Sequence, residues 1–208
     1  MYNYDLVKPA RTLVLMLMLG LGLSAAEPAP KAKEPKTAGL TPFGGKPQMI
    51  PGTIEFENFD EGGEGVAFHD IDAANDPKRI PYRTTAVDLE VTPDQKITLI
   101  GHIKTGEWLK YTVDVAKSGA YELELGVSVQ GVEPPEIRIE FDGVDVTGPI
   151  RLTTTSARWY LFAQILGPKI DLEAGRHVMR VVVANSPQGS SLNLDYVRFV
   201  ARGPKKSE

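Results

Sequence analysis

Two glutamates, near the start of the region with alternating apolar residues, are spaced so that both could bind one cation. Glu55 and Glu57 flank Phe56, and on an extended strand both carboxylates project from one face while Ile54 and Phe56 point to the other. Carboxylates held close together repel each other unless a cation or a proton lies between them, and hard oxygen ligands suit Ca²⁺. A solvated acidic strand face is the alternative, and these residues alone leave both interpretations open.

A tryptophan in a polar loop is the second feature with chemical consequences. Trp159 follows the mostly polar run 153–158, which gives little reason to hold a large aromatic side chain. A pyranose ring has apolar C–H faces and a rim of hydroxyl groups, so it binds by stacking on a flat aromatic ring while polar groups contact the rim. Trp159 is therefore a candidate for sugar stacking, and packing in a core is the alternative.

The composition argues against several other kinds of site. The 208 residues include no cysteine, which excludes disulfides, thiolate zinc sites and cysteine nucleophiles. The net charge is −4 and the basic residues cluster only at Lys205 and Lys206, so we expect no nucleic-acid partner. The three histidines come with no nucleophile motif, and nothing marks a catalytic pair among the 27 acids. We therefore predict a non-catalytic protein.

Short strands must position these residues. In 109–115 and 121–129 every odd-numbered residue is apolar, which predicts strands with one face in a core. Similar segments, separated by Gly, Pro and Asp turns, cover 87–91, 137–141, 144–146, 177–183 and 192–200. No window longer than two turns shows a helical stripe. The pattern predicts an all-β fold, a single β-sandwich (jelly roll).

The first 26 residues have the pattern of a secretory signal peptide. Lys8 and Arg11 precede an apolar run over 12–23, and small residues follow up to Ala26. The run is shorter than the roughly 20 residues that span a bilayer, although an uncleaved membrane anchor is the alternative. We expect cleavage after Ala26, no membrane attachment afterwards, and a secreted, periplasmic or cell-surface location.

Three segments follow the predicted signal peptide. Residues 27–49 are rich in proline and lysine and predict an extended linker. Residues 50–201 contain the predicted strands and form the predicted sandwich. Residues 202–208 form a basic and polar tail.

Seven segments, in one order along residues 50–201, resemble carbohydrate-binding module family 6. They are 54–59 (IEFENF), 61–70 (EGGEGVAFHD), 82–83 (YR), 87–90 (VDLE), 105–113 (TGEWLKYTV), 142–149 (DGVDVTGP) and 192–199 (LNLDYVRF). The resemblance implies a jelly-roll sandwich that binds a polysaccharide or oligosaccharide without catalysis. It also implies association with a glycoside hydrolase.

The resemblance implies four sugar contacts. Trp159 matches the family's stacking aromatic residue and Tyr82 its opposing aromatic residue. Asn193 matches the amide that hydrogen-bonds sugar hydroxyls, and Glu64 matches a polar contact at the rim of the site. We expect these four side chains to meet in a loop cleft.

The same resemblance completes the cation site. Asp195, on the last predicted strand, resembles a third acidic ligand beside Glu55 and Glu57, and the backbone carbonyl of Arg83 is expected to help fill the shell. A sandwich can bring its first and last strands side by side. The expected cofactor is a structural Ca²⁺ that joins the two ends of the domain.

Two departures from the family pattern bear on the ligand. His102 stands where the family often has tryptophan, so any second binding surface on the sheet face is expected to be weakened or changed. The loop before Tyr82 is charged and rich in proline, and it either narrows the site or favours an anionic glycan through Lys78 and Arg79. Arg158, which precedes Trp159, also favours an anionic glycan.

Two other functions are compatible with the sequence. A structural or adhesion protein of the cell envelope can use this fold without binding a glycan, because fold does not imply function. A polysaccharide hydrolase or accessory enzyme is the second alternative. The sequence does not name the glycan.

Overall fold

The protein is described by a computed structural model. It describes residues 38–71, 82–94, 96–153 and 159–202. Several predicted features lie outside the described residues: the signal peptide 1–26, residues 27–37 of the predicted linker 27–49, Lys78, Arg79, Arg158 and residues 203–208 of the predicted tail. Within the described ranges, no helix is long and apolar enough to cross a membrane.

The described residues form thirteen strands and two short 3₁₀ helices, Phe43–Gly45 and Phe56–Asn58. The strands are β1 (Gln48–Ile50), β2 (Gly52–Glu55), β3 (Phe68–His69), β4 (Leu89–Val91), β5 (Thr98–Ile100), β6 (Trp108–Val115), β7 (Gly119–Gln130), β8 (Glu136–Phe141), β9 (Val144–Asp145), β10 (Ile150–Arg151), β11 (Ala163–Leu172), β12 (Gly175–Asn185) and β13 (Ser191–Ala201).

Two sheets divide these strands. The first has the order β1-β6-β12-β8-β10, with β3 also paired to β6 and β9 to β8. The second has the order β11-β7-β13-β5-β4, with β2 also paired to β13. The prediction of an all-β sandwich is confirmed. The odd-numbered residues of 109–115 in β6 and of 121–129 in β7 form part of a single buried core, as their alternation predicted.

One long strand was not predicted from the sequence. β11 contains Gly167 and Pro168, which break its alternation. Its pairing with β7 shifts register between Leu166 and Lys169. Gly167 and Pro168 therefore form a β-bulge, in which two residues of β11 lie opposite one residue of β7. A Cβ atom at Gly167 would lie 2.9 Å from Cβ of Leu123, so the strand needs glycine there.

Candidate functional site

A groove between three loops contains Trp159. Its lining consists of His102, Ile103 and Lys104 after β5, residues 186–190 between β12 and β13, the first two residues of β13, Ser191 and Leu192, and Trp159 after β10. Its volume is about 340 Å³. We call this cavity the Trp159 groove. Most of its wall residues lie in connections between strands, and the sandwich acts as the rigid support for them.

Trp159 is exposed in this groove. Its exposed fraction is 60%, which excludes core packing as its role. An indole that remains this accessible offers a flat apolar face to a ligand. The serines at 186, 190 and 191 and Gln188 line the same groove, and they can exchange hydrogen bonds with a hydroxyl-rich ligand.

Asn193 lies below one wall of the groove. It is buried on β13, next to Leu192 of the groove lining. A Cβ atom at Gly101, the neighbour of His102, would be 3.3 Å from Asn193 Oδ1. Among the described residues, Nδ2 of Asn193 has no hydrogen-bond partner. A buried donor without a partner costs about 1–3 kcal/mol, so this amide favours a ligand acceptor or a water molecule.

Glu64 lies outside the groove lining and shapes a neighbouring turn. Its carboxylate contacts His69 Nδ1 at 2.5 Å and accepts the Asp70 N–H at 3.0 Å. The next residue, Ile71, donates its N–H to Glu107, and Glu107 also accepts the N–H of Lys104 in the groove wall. Glu64 therefore reaches the groove only through intervening residues.

The structure does not bring Tyr82 to the lining of the Trp159 groove. The Tyr82 hydroxyl donates to Asn58 Oδ1 at 2.6 Å, and its ring stacks on Phe43 with centroids 6.2 Å apart. Burial raises the pKa of Tyr82, and the carboxylate of Glu57 adds to the rise. Tyr82 thus lies near the predicted cation site, whereas His102 shares the groove with Trp159.

Sequence reasoning missed Glu90, which contacts His102 in the groove lining and Tyr160, the neighbour of Trp159. Glu90 lies 2.8 Å from His102 Nε2 through Oε1, and its Oε2 accepts the Tyr160 hydroxyl at 2.8 Å. Glu90 belongs to the VDLE segment that carried part of the family resemblance. No local pattern relates it to Tyr160, 70 positions away.

The three predicted acidic ligands are brought together, and we call Glu55, Glu57 and Asp195 the acidic cluster. Glu55 on β2 pairs with Tyr196, the neighbour of Asp195 on β13. The strands of the second sheet that come first and last along the chain, β2 and β13, thus lie side by side as predicted. Burial raises the pKa of Glu57 to about 8; a backbone hydrogen bond opposes the rise, and the carboxylates of Glu55 and Asp195 add to it. Burial and then Glu55 raise the pKa of Asp195 to about 6.

The prediction that Glu57 extends the strand of Glu55 was wrong. β2 ends at Glu55, and Phe56–Asn58 forms a 3₁₀ helix. Backbone carbonyls in this segment bind side chains instead of a neighbouring strand: Tyr111 donates its hydroxyl to Phe56, and Arg83 donates to Glu57, Phe59 and Asp60. Glu57 consequently turns inward and is 8% exposed.

The acidic cluster has features that fit a cation. Glu57 Oε2 is buried without a hydrogen-bond partner among the described residues, and Glu55 raises the pKa of both Glu57 and Asp195. The described part of the chain nevertheless contains no group of three or more His, Cys, Asp or Glu side chains placed so that they could hold a metal ion. Arg83 lies beside the cluster, nearly buried, with its guanidinium stacked on Phe59 at 3.7 Å from the ring centroid.

Known proteins share this architecture. The sequence model of the family described as "Carbohydrate binding module (family 6)" matches residues 80–201. No curated protein sequence matches the chain.

Three solved structures illustrate the likeness. One is a β-1,3-glucan binding CBM6 from Bacillus halodurans, with a TM-score of 0.55 and 18% identity, covering 75% of this chain and 100% of the other. A second is the module CBM6cm-2 of Cellvibrio mixtus lichenase 5A in complex with cellotriose, at 0.52 and 22%, covering 74% and 100%. A third is a family 43 arabinoxylan arabinofuranohydrolase from Bacillus subtilis, at 0.51 and 17%, covering 76% of this chain and 28% of the enzyme.

Proposed function

This chain belongs to carbohydrate binding module family 6, and on that premise we propose that it binds a polysaccharide or oligosaccharide in the Trp159 groove without catalysing a reaction. The observation that carries the proposal is the 60% exposure of Trp159 in a groove lined by hydroxyl and amide side chains. The indole stacks on a sugar face, and the serine and glutamine side chains of the lining hydrogen-bond to the sugar hydroxyls. The buried amide of Asn193, whose Nδ2 has no hydrogen-bond partner among the described residues, reaches the sugar in this proposal through a bridging water molecule.

The groove suits binding better than catalysis. Hydrolysis of a glycosidic bond needs two carboxylates that flank the bond, one of them able to donate a proton. Glu90, the acid beside the groove, interacts with His102 and Tyr160 through its two oxygens. An assay for sugar release by the purified protein tests this part, and activity lost in a single acid variant would contradict it.

The experiment is a glycan-binding panel with the purified wild type and Trp159→Ala. β-1,3-Glucan and cello-oligosaccharides come first, because structurally similar modules bind them. Xylan, agarose and charged polysaccharides follow, the last because Lys104 lines the groove. Losing an indole stack of this size is expected to weaken binding about 100-fold, or about 3 kcal/mol, with an unchanged unfolding temperature.

The matched control is Tyr82→Ala. Tyr82 is also an exposed aromatic residue, at 43%, and the resemblance made it the second stacking residue. We expect near wild-type affinity, because its contacts are with Phe43 and Asn58. Equal losses in both variants would place Tyr82 in the binding site. A folded wild type that binds no glycan would favour the structural or adhesion alternative.

We also propose that the acidic cluster holds Ca²⁺. Glu55, Glu57 and Asp195 would supply carboxylate oxygens, with backbone carbonyls such as that of Arg83 completing the shell. The ion would neutralise the repulsion among the three acids and join β2 to β13. Its role would be structural.

Export and partnership complete the proposal. The signal-like segment 1–26 supports secretion or display at the cell surface, and N-terminal sequencing of exported protein tests cleavage after Ala26. A similar domain occurs within a solved arabinoxylan arabinofuranohydrolase, which supports association with a glycoside hydrolase.

A further inference from the structure

Two residues of the groove region have an unusual backbone conformation. His102 has φ of +52° and Tyr160, next to Trp159, has φ of +63°. Across the described ranges, only four residues other than glycine have positive φ, and two of them are these. Side chains with a Cβ atom are strained there, and such residues persist where their surroundings hold them.

One carboxylate contacts both strained residues. Glu90 on β4 meets His102 Nε2 through Oε1 and the Tyr160 hydroxyl through Oε2, each at 2.8 Å. Its side chain is only 15% exposed. Hydrogen bonds to a carboxylate are stronger than those between neutral groups, and stronger still away from water.

The same carboxylate also packs against Gly101, the neighbour of the groove residue His102. A Cβ atom at Gly101 would lie 3.3 Å from both Glu90 Cδ and Asn193 Oδ1, so the two side chains flank this glycine. The Gly101 N–H donates to Asp88 O at 3.0 Å, which ties the start of the His102 loop to the strand of Glu90.

We propose that Glu90 is a positioning residue that fixes the separation of His102 and Trp159 across the groove. The inference rests on the proposed function in taking this groove as the sugar site. Glu90 acts through His102 and Tyr160 and does not itself contact the sugar. Holding the two walls before the ligand arrives reduces the ordering cost of binding, and affinity rises accordingly.

A double-mutant cycle tests the connection. The glycan affinity of the full chain is measured for Tyr160→Phe, Glu90→Ala and the double variant, using the best ligand from the panel. We expect about a tenfold loss for Tyr160→Phe, which removes one hydrogen bond to a charged group, and a larger loss for Glu90→Ala. The double variant should match Glu90→Ala alone. Losses that multiply would overturn the inference.

A second readout needs no ligand. The chain has two tryptophans, so Trp108→Phe leaves Trp159 as the single fluorophore. In that background Glu90→Ala should lower the fluorescence anisotropy of Trp159 and increase its quenching by acrylamide. Glu124→Ala is the matched control, since it removes a carboxylate bound to Arg198 on the second sheet and should change neither signal.

The two readouts separate the outcomes. If the wild type binds no glycan while the anisotropy falls in Glu90→Ala, the proposed function fails and the positioning role stands. If the wild type binds and Glu90→Ala leaves both affinity and anisotropy unchanged, the positioning role fails. Should Glu90→Ala not fold, Glu90→Gln replaces it. This variant keeps an acceptor for Tyr160 and should give intermediate changes in both readouts, and unchanged readouts would contradict the inference.

Discussion

In the groove region, each oxygen of the Glu90 carboxylate has a side-chain partner, whereas in the acidic cluster a buried oxygen of Glu57 has none among the described residues. Both carboxylates are largely removed from water, and burial of a charge needs compensation. Glu90 obtains it from the protein, so it holds other residues in place. Glu57 lacks it and has a pKa raised to about 8, so it favours a proton or a cation.

The two regions also differ in how they are built. The acidic cluster depends on the register of β2 against β13, which is fixed by a ladder of backbone hydrogen bonds. The Trp159 groove depends on loops, two of whose residues have strained backbones. A substitution in the acidic cluster should therefore leave glycan affinity unchanged, and a substitution in the groove should leave the calcium response unchanged.

The largest expected difference between variants of the two regions is in the effect of Ca²⁺ on thermal stability. Addition of Ca²⁺ at 100 times its dissociation constant stabilises a protein by about 2.7 kcal/mol, or roughly 5–10 °C in unfolding temperature for a domain of this size. We expect this rise in the wild type and in Trp159→Ala, and its loss in Glu57→Ala. Thermal unfolding with Ca²⁺ and with chelator measures it. A Glu57→Ala variant with the full calcium response would contradict the site.

A glycine substitution near the cluster should lower stability alone. A Cβ atom at Gly126 would lie 2.3 Å from Cε1 of Tyr196, whose ring covers this glycine. Overpacking of this kind costs about 2 kcal/mol, so chemical denaturation of Gly126→Ala should show that loss with unchanged glycan affinity. In a Tyr196→Ala background the same substitution should cost much less. An equal cost would exclude the ring contact as the cause.

A matched glycine substitution beside the groove, Gly101→Ala, should lower glycan affinity instead of stability, and by a smaller amount. Gly101→Ala would place a Cβ atom 3.3 Å from both Asn193 Oδ1 and Glu90 Cδ, so these side chains must shift by a few tenths of an ångström. We expect glycan affinity to fall about threefold, with an unfolding free energy close to that of the wild type. Calorimetric titration and denaturation together measure both. A loss of stability without a loss of affinity would argue against Asn193 and Glu90 as parts of the site.

The sequence by itself determined the all-β class and the family. Alternation along β6 and β7 is local, because side chains on a strand change face at every residue. It also marked Trp159, since a tryptophan in a polar run is unusual without a core to enter. The adjacency of Glu55 and Asp195 followed from family resemblance, and the pairing of β2 with β13 accounts for it.

Only the tertiary structure decided which side chains share a site. Glu57 turned inward because Arg83 and Tyr111 bind the carbonyls that a strand would have paired. Tyr82 likewise contacts Phe43 and Asn58 instead of Trp159. In both cases the deciding partners are distant in the sequence. Strand patterns depend on neighbours one or two residues apart, whereas a site depends on contacts between loops whose separation along the chain leaves no periodic trace.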